Sequence, residues 1–191
     1  MTILYLHGFN SAPQSRKAEL LKRYMVERGL GDRFLCPKLP HRPLEAIALV
    51  ESEITRLAPT AVTLVGSSLG GFYATYLAET HDARAALINP AIEPQRDLES
   101  YLGLQRNLYT GEEYELTREH IAEWRRLTRT VIHPERYLLL LETGDEVLDY
   151  RAAARKYAGA IQVVVEGGDH TFKSFPEYLP RILEFAGFGN R

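Results

Sequence analysis

Val62-Thr63-Leu64-Val65-Gly66-Ser67-Ser68-Leu69-Gly70-Gly71-Phe72-Tyr73-Ala74 joins an apolar run to a helix-compatible segment through the pattern Gly66-x-Ser68-x-Gly70. A serine held at so tight a strand-to-helix turn leaves no room for side chains two positions away on either side, which is why both flanking positions are glycine. The turn lifts the Ser68 hydroxyl clear of the strand. The unpaired N–H groups of the first helical turn, that of Leu69 foremost, face the same point. The competing reading is a tight turn, or a phosphate-cradling loop, with nothing to attack.

Outward from this turn the chain alternates. Apolar runs at Ile3 to Leu6, Phe34 to Cys36, Ala61 to Val65, Ala85 to Ile88, Tyr137 to Leu141 and Ile161 to Val165 each end at small or turn-forming residues. Near-continuous Val, Ile and Leu without polar alternation is the pattern of parallel strands buried on both faces. Between them lie segments of helical period: Arg16 to Arg28 closed by Gly29, Pro43 onward with Leu44, Ile47, Val50, Ile54 and Leu57 on one face, and Tyr150 to Ala158 closed by Gly159. The last helix is expected to open with a capping box, Ser174-Phe175-Pro176-Glu177. The expected fold is α/β, a three-layer sandwich with a mostly parallel sheet of about six strands and helices on both faces, forming one domain over residues 1–191. Pro90 to His133 breaks the alternation. It is expected to be a short helical, lid-like insertion over the carboxyl edge of the sheet, its tyrosines, leucines and Trp124 either roofing a pocket or packing the insertion down.

A serine hydroxyl is a weak nucleophile at neutral pH, so the motif demands a histidine to take its proton and a carboxylate to orient that histidine. In this order of elements the acid follows one strand and the histidine the next. Of the six histidines, only His170 follows a strand in a glycine-rich loop, Glu166-Gly167-Gly168-Asp169-His170. Asp145, directly after the preceding strand and turn, is the leading acid. Asp149 is the alternative and also suits the N-cap of the next helix, while Glu142 and Glu146 lie nearby but less well placed. His7 is expected to pack beneath the loop after the first strand, and His41, His81, His120 and His133 to be solvated. That loop, His7-Gly8-Phe9-Asn10-Ser11, is expected to give a second oxyanion donor, the N–H of Phe9 ahead of that of Asn10.

With 191 residues, 23 Lys and Arg against 25 Asp and Glu, and a net charge of −2, the chain has no electrostatic footprint of a nucleic-acid binder. Its 45% hydrophobic and 25% charged residues are ordinary globular values. The single cysteine, Cys36, has no partner in the chain, and neither a signal peptide nor a membrane span is evident, so a cytoplasmic location is expected. No P-loop, dinucleotide fingerprint or His-Glu-x-x-His pattern occurs, so no cofactor or metal is expected.

At these residues the chain resembles the YqiA-like esterases of the α/β-hydrolase superfamily. The stretches that carry the resemblance are Tyr5 to Ser11, Leu64 to Tyr73, Ile88-Asn89-Pro90-Ala91, Tyr109 to Tyr114, Thr143 to Tyr150, and Glu166-Gly167-Gly168 with His170. The resemblance implies an α/β-hydrolase fold that starts at the strand before the oxyanion loop, without the leading hairpin of larger relatives. It also implies hydrolysis of small-molecule acyl esters, with acyl thioesters or a non-catalytic binding role as alternatives, and triad roles for Ser68, Asp145 and His170. Asp169 departs from the pattern, where a neutral Asn is expected, and its charge bears on the neighbouring imidazole.

Overall fold

The computed structural model describes residues 1–57, 61–130 and 132–189. Six strands, β1 (Thr2–Leu6), β2 (Phe34–Leu35), β3 (Val62–Ser67), β4 (Arg84–Ile88), β7 (Tyr137–Glu142) and β8 (Ile161–Val165), form one sheet in the order β2-β1-β3-β4-β7-β8, with every pairing parallel. The helices that join them are α1 (Arg16–Val26), α2 (Pro43–Leu57), α3 (Leu69–His81), α6 (Tyr150–Lys156) and, after the last strand, α7 (Phe175–Phe185).

Alternate residues of each central strand enter different cores. Ile3, Tyr5, Val65, Ala86, Ile88, Leu138 and Leu140 meet Leu21 and Met25 of α1 and Leu179 and Ile182 of α7. Leu4, Leu6, Leu64, Ala85, Leu87, Leu139 and Leu141 meet α2, α3 and α6 on the opposite face. The two edge strands differ from their neighbours. β2 is only two half-buried residues, and β8 leaves Ile161 and Val164 exposed, because an edge strand has sheet on one side only.

Strand order reverses between β1 and β3, since the chain winds outward from β1 to β2 and then back past β1 to β3. At such a switch point the loops leaving the two strands diverge and open a crevice at their carboxyl ends. Both Gly66-x-Ser68-x-Gly70 and His7-Gly8-Phe9 leave their strands there.

Between β4 and β7 the expected run of short helices is only partly found. After α4 (Pro94–Asp97) the chain forms an antiparallel ribbon, β5 (Gly103–Arg106) with β6 (Glu113–Leu116), and then α5 (Arg118–Leu127). The signal for β6 is present in Glu113-Tyr114-Glu115-Leu116, a strict polar and apolar alternation. The ribbon turns where the Asn107 Oδ1 accepts from the N–H groups of Tyr109 and Thr110. In α5, Thr117 and His120 cap each other reciprocally, which buries His120, in contrast to the solvated side chain that the sequence suggests. Trp124 is fully buried, packing the insertion down and donating to the Tyr73 hydroxyl at 2.9 Å. The capping box expected at Ser174 does not form, because its hydroxyl is drawn to Glu142 instead.

Candidate active site

β3 ends by placing Ser68 at φ 55° and ψ −122°, a backbone conformation that costs a non-glycine residue on the order of 1–3 kcal/mol. The surroundings hold it there. Its N–H donates to Ile88 O, and its carbonyl accepts from the N–H groups of Gly71 and Ala91. A Cβ at Gly66 would collide with the carbonyl of Gly70, and one at Gly70 with the carbonyl of Leu6, so both glycines serve close backbone approach.

The His170 ring lies between the other two expected partners. Its Nε2 is 3.0 Å from Ser68 Oγ and its Nδ1 is 2.8 Å from Asp145 Oδ2. With Nδ1–H donating to the carboxylate, Nε2 is left as the acceptor for the serine O–H. The Asp145 side chain is 2% exposed. Burial alone pushes its carboxyl up, but the hydrogen bond with His170 and the N–H groups of Leu148 and Val147, which donate to Oδ1, outweigh that and hold it below the ordinary range. Asp149 takes no part in this group and caps α6 by accepting from Arg151 N–H.

The loop that carries His170 is pinned by residues whose role the sequence does not disclose. Glu142, at the end of β7, is fully buried and accepts from the N–H groups of Asp169, Lys173 and Ser174 and from the Ser174 hydroxyl. Burial raises its pKa, yet these four donors win and keep the carboxylate below its usual range. Asn89, after β4, donates to the carbonyls of Asp169 and His170 and accepts from Glu142 N–H. Glu146 accepts from His170 N–H at 3.0 Å. The signal available for Glu142 is a lone carboxylate closing the run Leu138-Leu139-Leu140-Leu141. Asp169 turns its carboxylate to Thr171 and Lys173, contacts that bring its pKa down to about 2.

The loop after β1, from which an oxyanion donor is expected, is held differently. His7 is buried, and its Nε2 accepts from Leu39 N–H while Nδ1 donates to Gly8 O. Burial lowers the His7 pKa, in keeping with this neutral role beneath the loop. Gly8 brings the chain against Ser68, where an added Cβ would lie 3.3 Å from the serine Cβ. Neither Phe9 N–H nor Leu69 N–H has a backbone acceptor among the described residues. Asn10, at φ 50°, is fixed by the insertion: its amide donates to Gln105 Oε1, its Oδ1 accepts from Tyr114 OH at 2.8 Å, and its carbonyl accepts from Leu108 N–H.

Two cavities flank this loop and share Gly8, Phe9 and Ser11. One, of about 380 Å³, is lined by Leu39, His41, Leu69, Tyr73 and Tyr114 among others. The other, of about 300 Å³, contains Ser68 and His170 together with Ser15, Arg16, Lys17 and Thr171. Among the described residues no group of three or more His, Cys, Asp or Glu is placed to hold a metal ion, and no helix is long and apolar enough to cross a membrane.

A parallel sheet with a strained serine after its third strand, an acid after β7 and a histidine after β8 defines the α/β-hydrolase fold. Solved structures agree: alpha/beta hydrolase domain-containing protein 10 from mouse superposes with a TM-score of 0.70 at 18% identity, over 96% of this chain and 88% of that one. A structure from a study of LipS and LipT, two metagenome-derived lipolytic enzymes, gives a TM-score of 0.70 at 17% identity, over 98% of this chain and 94% of its own. The chain belongs to the UPF0227 family, described as an uncharacterised protein family, whose model matches residues 2–187. This is the kinship the sequence motifs imply. A UPF0227 protein of Pectobacterium carotovorum is 26% identical over 98% of this chain and 99% of its own, and the UPF0227 protein YcfP of Salmonella paratyphi A is 24% identical over 98% and 99%.

Proposed function

We propose that the protein is a serine esterase that cleaves carboxylic esters through an acyl-enzyme. The observation that carries this reading is the His170 ring, in hydrogen-bond contact with Ser68 Oγ on one side and Asp145 on the other. His170 Nε2 takes the Ser68 proton as Oγ attacks the carbonyl carbon, and Asp145 stabilises the imidazolium that results. The N–H groups of Phe9 and Leu69 receive the charge that develops on the carbonyl oxygen, each contributing about 3 kcal/mol to the lowered barrier. His170 then gives its proton to the departing alcohol. Water, activated by the same nitrogen, releases the acid and restores Ser68. The naming of a structural neighbour as a lipolytic enzyme points the same way.

Residues 90–133 are read as the cover of the larger cavity, because Asn107, Glu112 and Tyr114 of this segment line it. The test is intact-mass analysis after a fluorophosphonate probe, with hydrolysis of a short-chain aryl ester followed in parallel. Wild type is expected to gain one label at Ser68 and to turn over, with turnover lost in Ser68→Ala and His170→Ala and no label in Ser68→Ala. A folded wild type that neither labels nor turns over would refute the reading.

A further inference from the structure

The two cavities beside Phe9 differ in charge. Where Lys38 lines the larger one, it is neutralised by Glu112, which lies 2.5 Å away. The smaller one, which holds Ser68 and His170, is lined among the described residues by two cations, Arg16 and Lys17, and by no carboxylate. The guanidinium of Arg16 has no ion-pair partner among the described residues. Lys17 reaches only a backbone carbonyl, donating to Thr171 O at 2.7 Å.

Both cations belong to the first turn of α1, an eleven-residue helix whose N-terminus opens into the same cavity. Its N-cap residue, Ser15, does not cap it: the side chain makes no hydrogen bond to the helix. Ser15 is 7% exposed, and its Oγ is buried without a hydrogen-bond partner among the described residues. A buried hydroxyl left unmatched costs on the order of 1–3 kcal/mol, so a native protein retains one where something else satisfies it. The free N–H groups of the first turn favour negative charge at this spot. Burial brings the Lys17 ammonium down to about 8, against the pull of Asp169 and Glu142. An anion beside it would return the charge stabilisation that burial removes.

The chemistry of the reaction decides which part of a substrate lies here. The leaving alcohol takes its proton from His170 Nε2, so it departs on the His170 side, in the cationic cavity. The acyl chain then extends to the other side of the oxyanion loop, over Leu39, Leu69 and Tyr73. We propose that the substrates are esters whose alcohol carries a carboxylate or phosphate, bound at the N-terminus of α1 by Ser15 Oγ, Arg16, Lys17 and the first-turn N–H groups. The inference rests on the serine esterase reading. In the acylation step the bond from Ser68 Oγ to the acyl carbon forms and the bond from that carbon to the alcohol oxygen breaks, with the serine proton passing through His170 to that oxygen.

The test compares matched butyryl esters: butyryl glycolate against its methyl ester, and 2-(butyryloxy)ethyl phosphate against 2-methoxyethyl butyrate. Each kcat/KM is divided by the rate of the same ester with hydroxide, which removes differences in leaving-group reactivity. Wild type is expected to favour at least one anionic ester by about tenfold or more, the size of one charge-assisted contact. Arg16→Gln is expected to abolish that ratio and Ser15→Ala to reduce it. The anion preferred identifies the carboxylate or the phosphate as the natural group. Neutral esters that are cleaved as fast as both anionic ones overturn the subsite, as does a preference that survives both substitutions. In either case fluorophosphonate labelling of Ser68 leaves the esterase reading standing. A wild type that is not labelled and cleaves none of the four esters removes both.

Discussion

The two loops that meet at Ser68 are fastened by opposite chemistry. The His170 loop is gathered around one fully buried carboxylate, Glu142, which takes four hydrogen bonds from residues 169–174. The loop after β1, the proposed oxyanion loop, is fastened by neutral groups of the insertion, the Gln105 amide and the Tyr114 phenol on Asn10, and the Asn107 amide, which donates to Ser11 O at 2.7 Å. A buried ion satisfied by main-chain N–H groups is stable only if the loop keeps one shape, because each lost donor leaves charge without solvent or partner. Neutral bonds at a half-exposed surface are replaceable by water. The first arrangement ties the position of His170 to the stability of the whole fold, whereas the second lets the insertion adjust the loop after β1 at small cost to stability.

By this contrast, Glu142→Gln is expected to be more damaging than any single substitution among the polar groups that fasten the loop after β1. The amide keeps one acceptor oxygen for Ser174 but offers a donor where the N–H groups of Asp169 and Lys173 now point. A loss of about 3 kcal/mol in unfolding free energy is expected, together, under the esterase reading, with most ester hydrolysis. Urea denaturation and kcat measured on the same samples check it, and a variant as stable as wild type would break the comparison.

Acid should act through the same carboxylates. The ordinary value is 4.5 for Glu142 and 3.8 for Asp145, and both groups lie lower in the folded chain. A carboxyl depressed on folding binds fewer protons in the native state. Its stabilising contribution is therefore complete above its unfolded value and is lost as pH falls through its lower native value. The urea midpoint is expected to hold near neutral pH and to decline below about pH 4.5, and to decline less in Glu142→Gln. Equal declines in the two proteins would mean that Glu142 does not carry the effect.

What is legible in the sequence follows the same division. All six strands of the main sheet are readable as apolar runs, the central ones because strands covered on both faces become runs such as Leu138-Leu139-Leu140-Leu141, and the glycines around Ser68 mark a turn with few alternatives. Ser68, Asp145 and His170 are each locatable by the element they follow, since the topology brings the ends of β3, β7 and β8 to one edge. Glu142 is not legible, because its partners are largely backbone N–H groups, which have no side-chain signature. The ribbon of residues 103–116 is obscured by exposure: Leu104 and Leu108 are 74% and 82% exposed, so apolar positions there do not report a buried face. His120 looks solvated in the sequence because one of its partners, His41, is 79 residues away, although the other, Thr117, is the N-cap of its own helix.

The loop after β1 is expected to respond in activity more than in stability. Tyr114→Phe removes the hydroxyl that donates to Asn10 Oδ1 at 2.8 Å and leaves the ring stacked on His41. Unfolding free energy should change by about 1 kcal/mol, the net value of one neutral hydrogen bond. Under the esterase reading kcat should fall about tenfold, because a small displacement of Phe9 N–H weakens its bond to the developing charge more than its bond to the neutral carbonyl. A rise in KM with kcat intact would instead place Tyr114 in substrate contact.

Asp169→Asn is the smallest expected effect and the sharpest control on the comparison. Asp169 is next to His170 in sequence, and its charge alone suggests an influence on the imidazole. Its carboxylate, however, faces the Thr171 hydroxyl and N–H and the Lys173 ammonium, at the exposed surface of the loop. The part of Asp169 that reaches the site is its main chain, whose N–H donates to Glu142 and whose carbonyl accepts from Asn89. Asn preserves that main chain and retains an acceptor for Thr171, so the urea midpoint is expected to stay within the error of measurement and kcat within about twofold of wild type. A large loss in either would show that the side-chain charge, and not the backbone gathered around Glu142, holds the His170 loop in place.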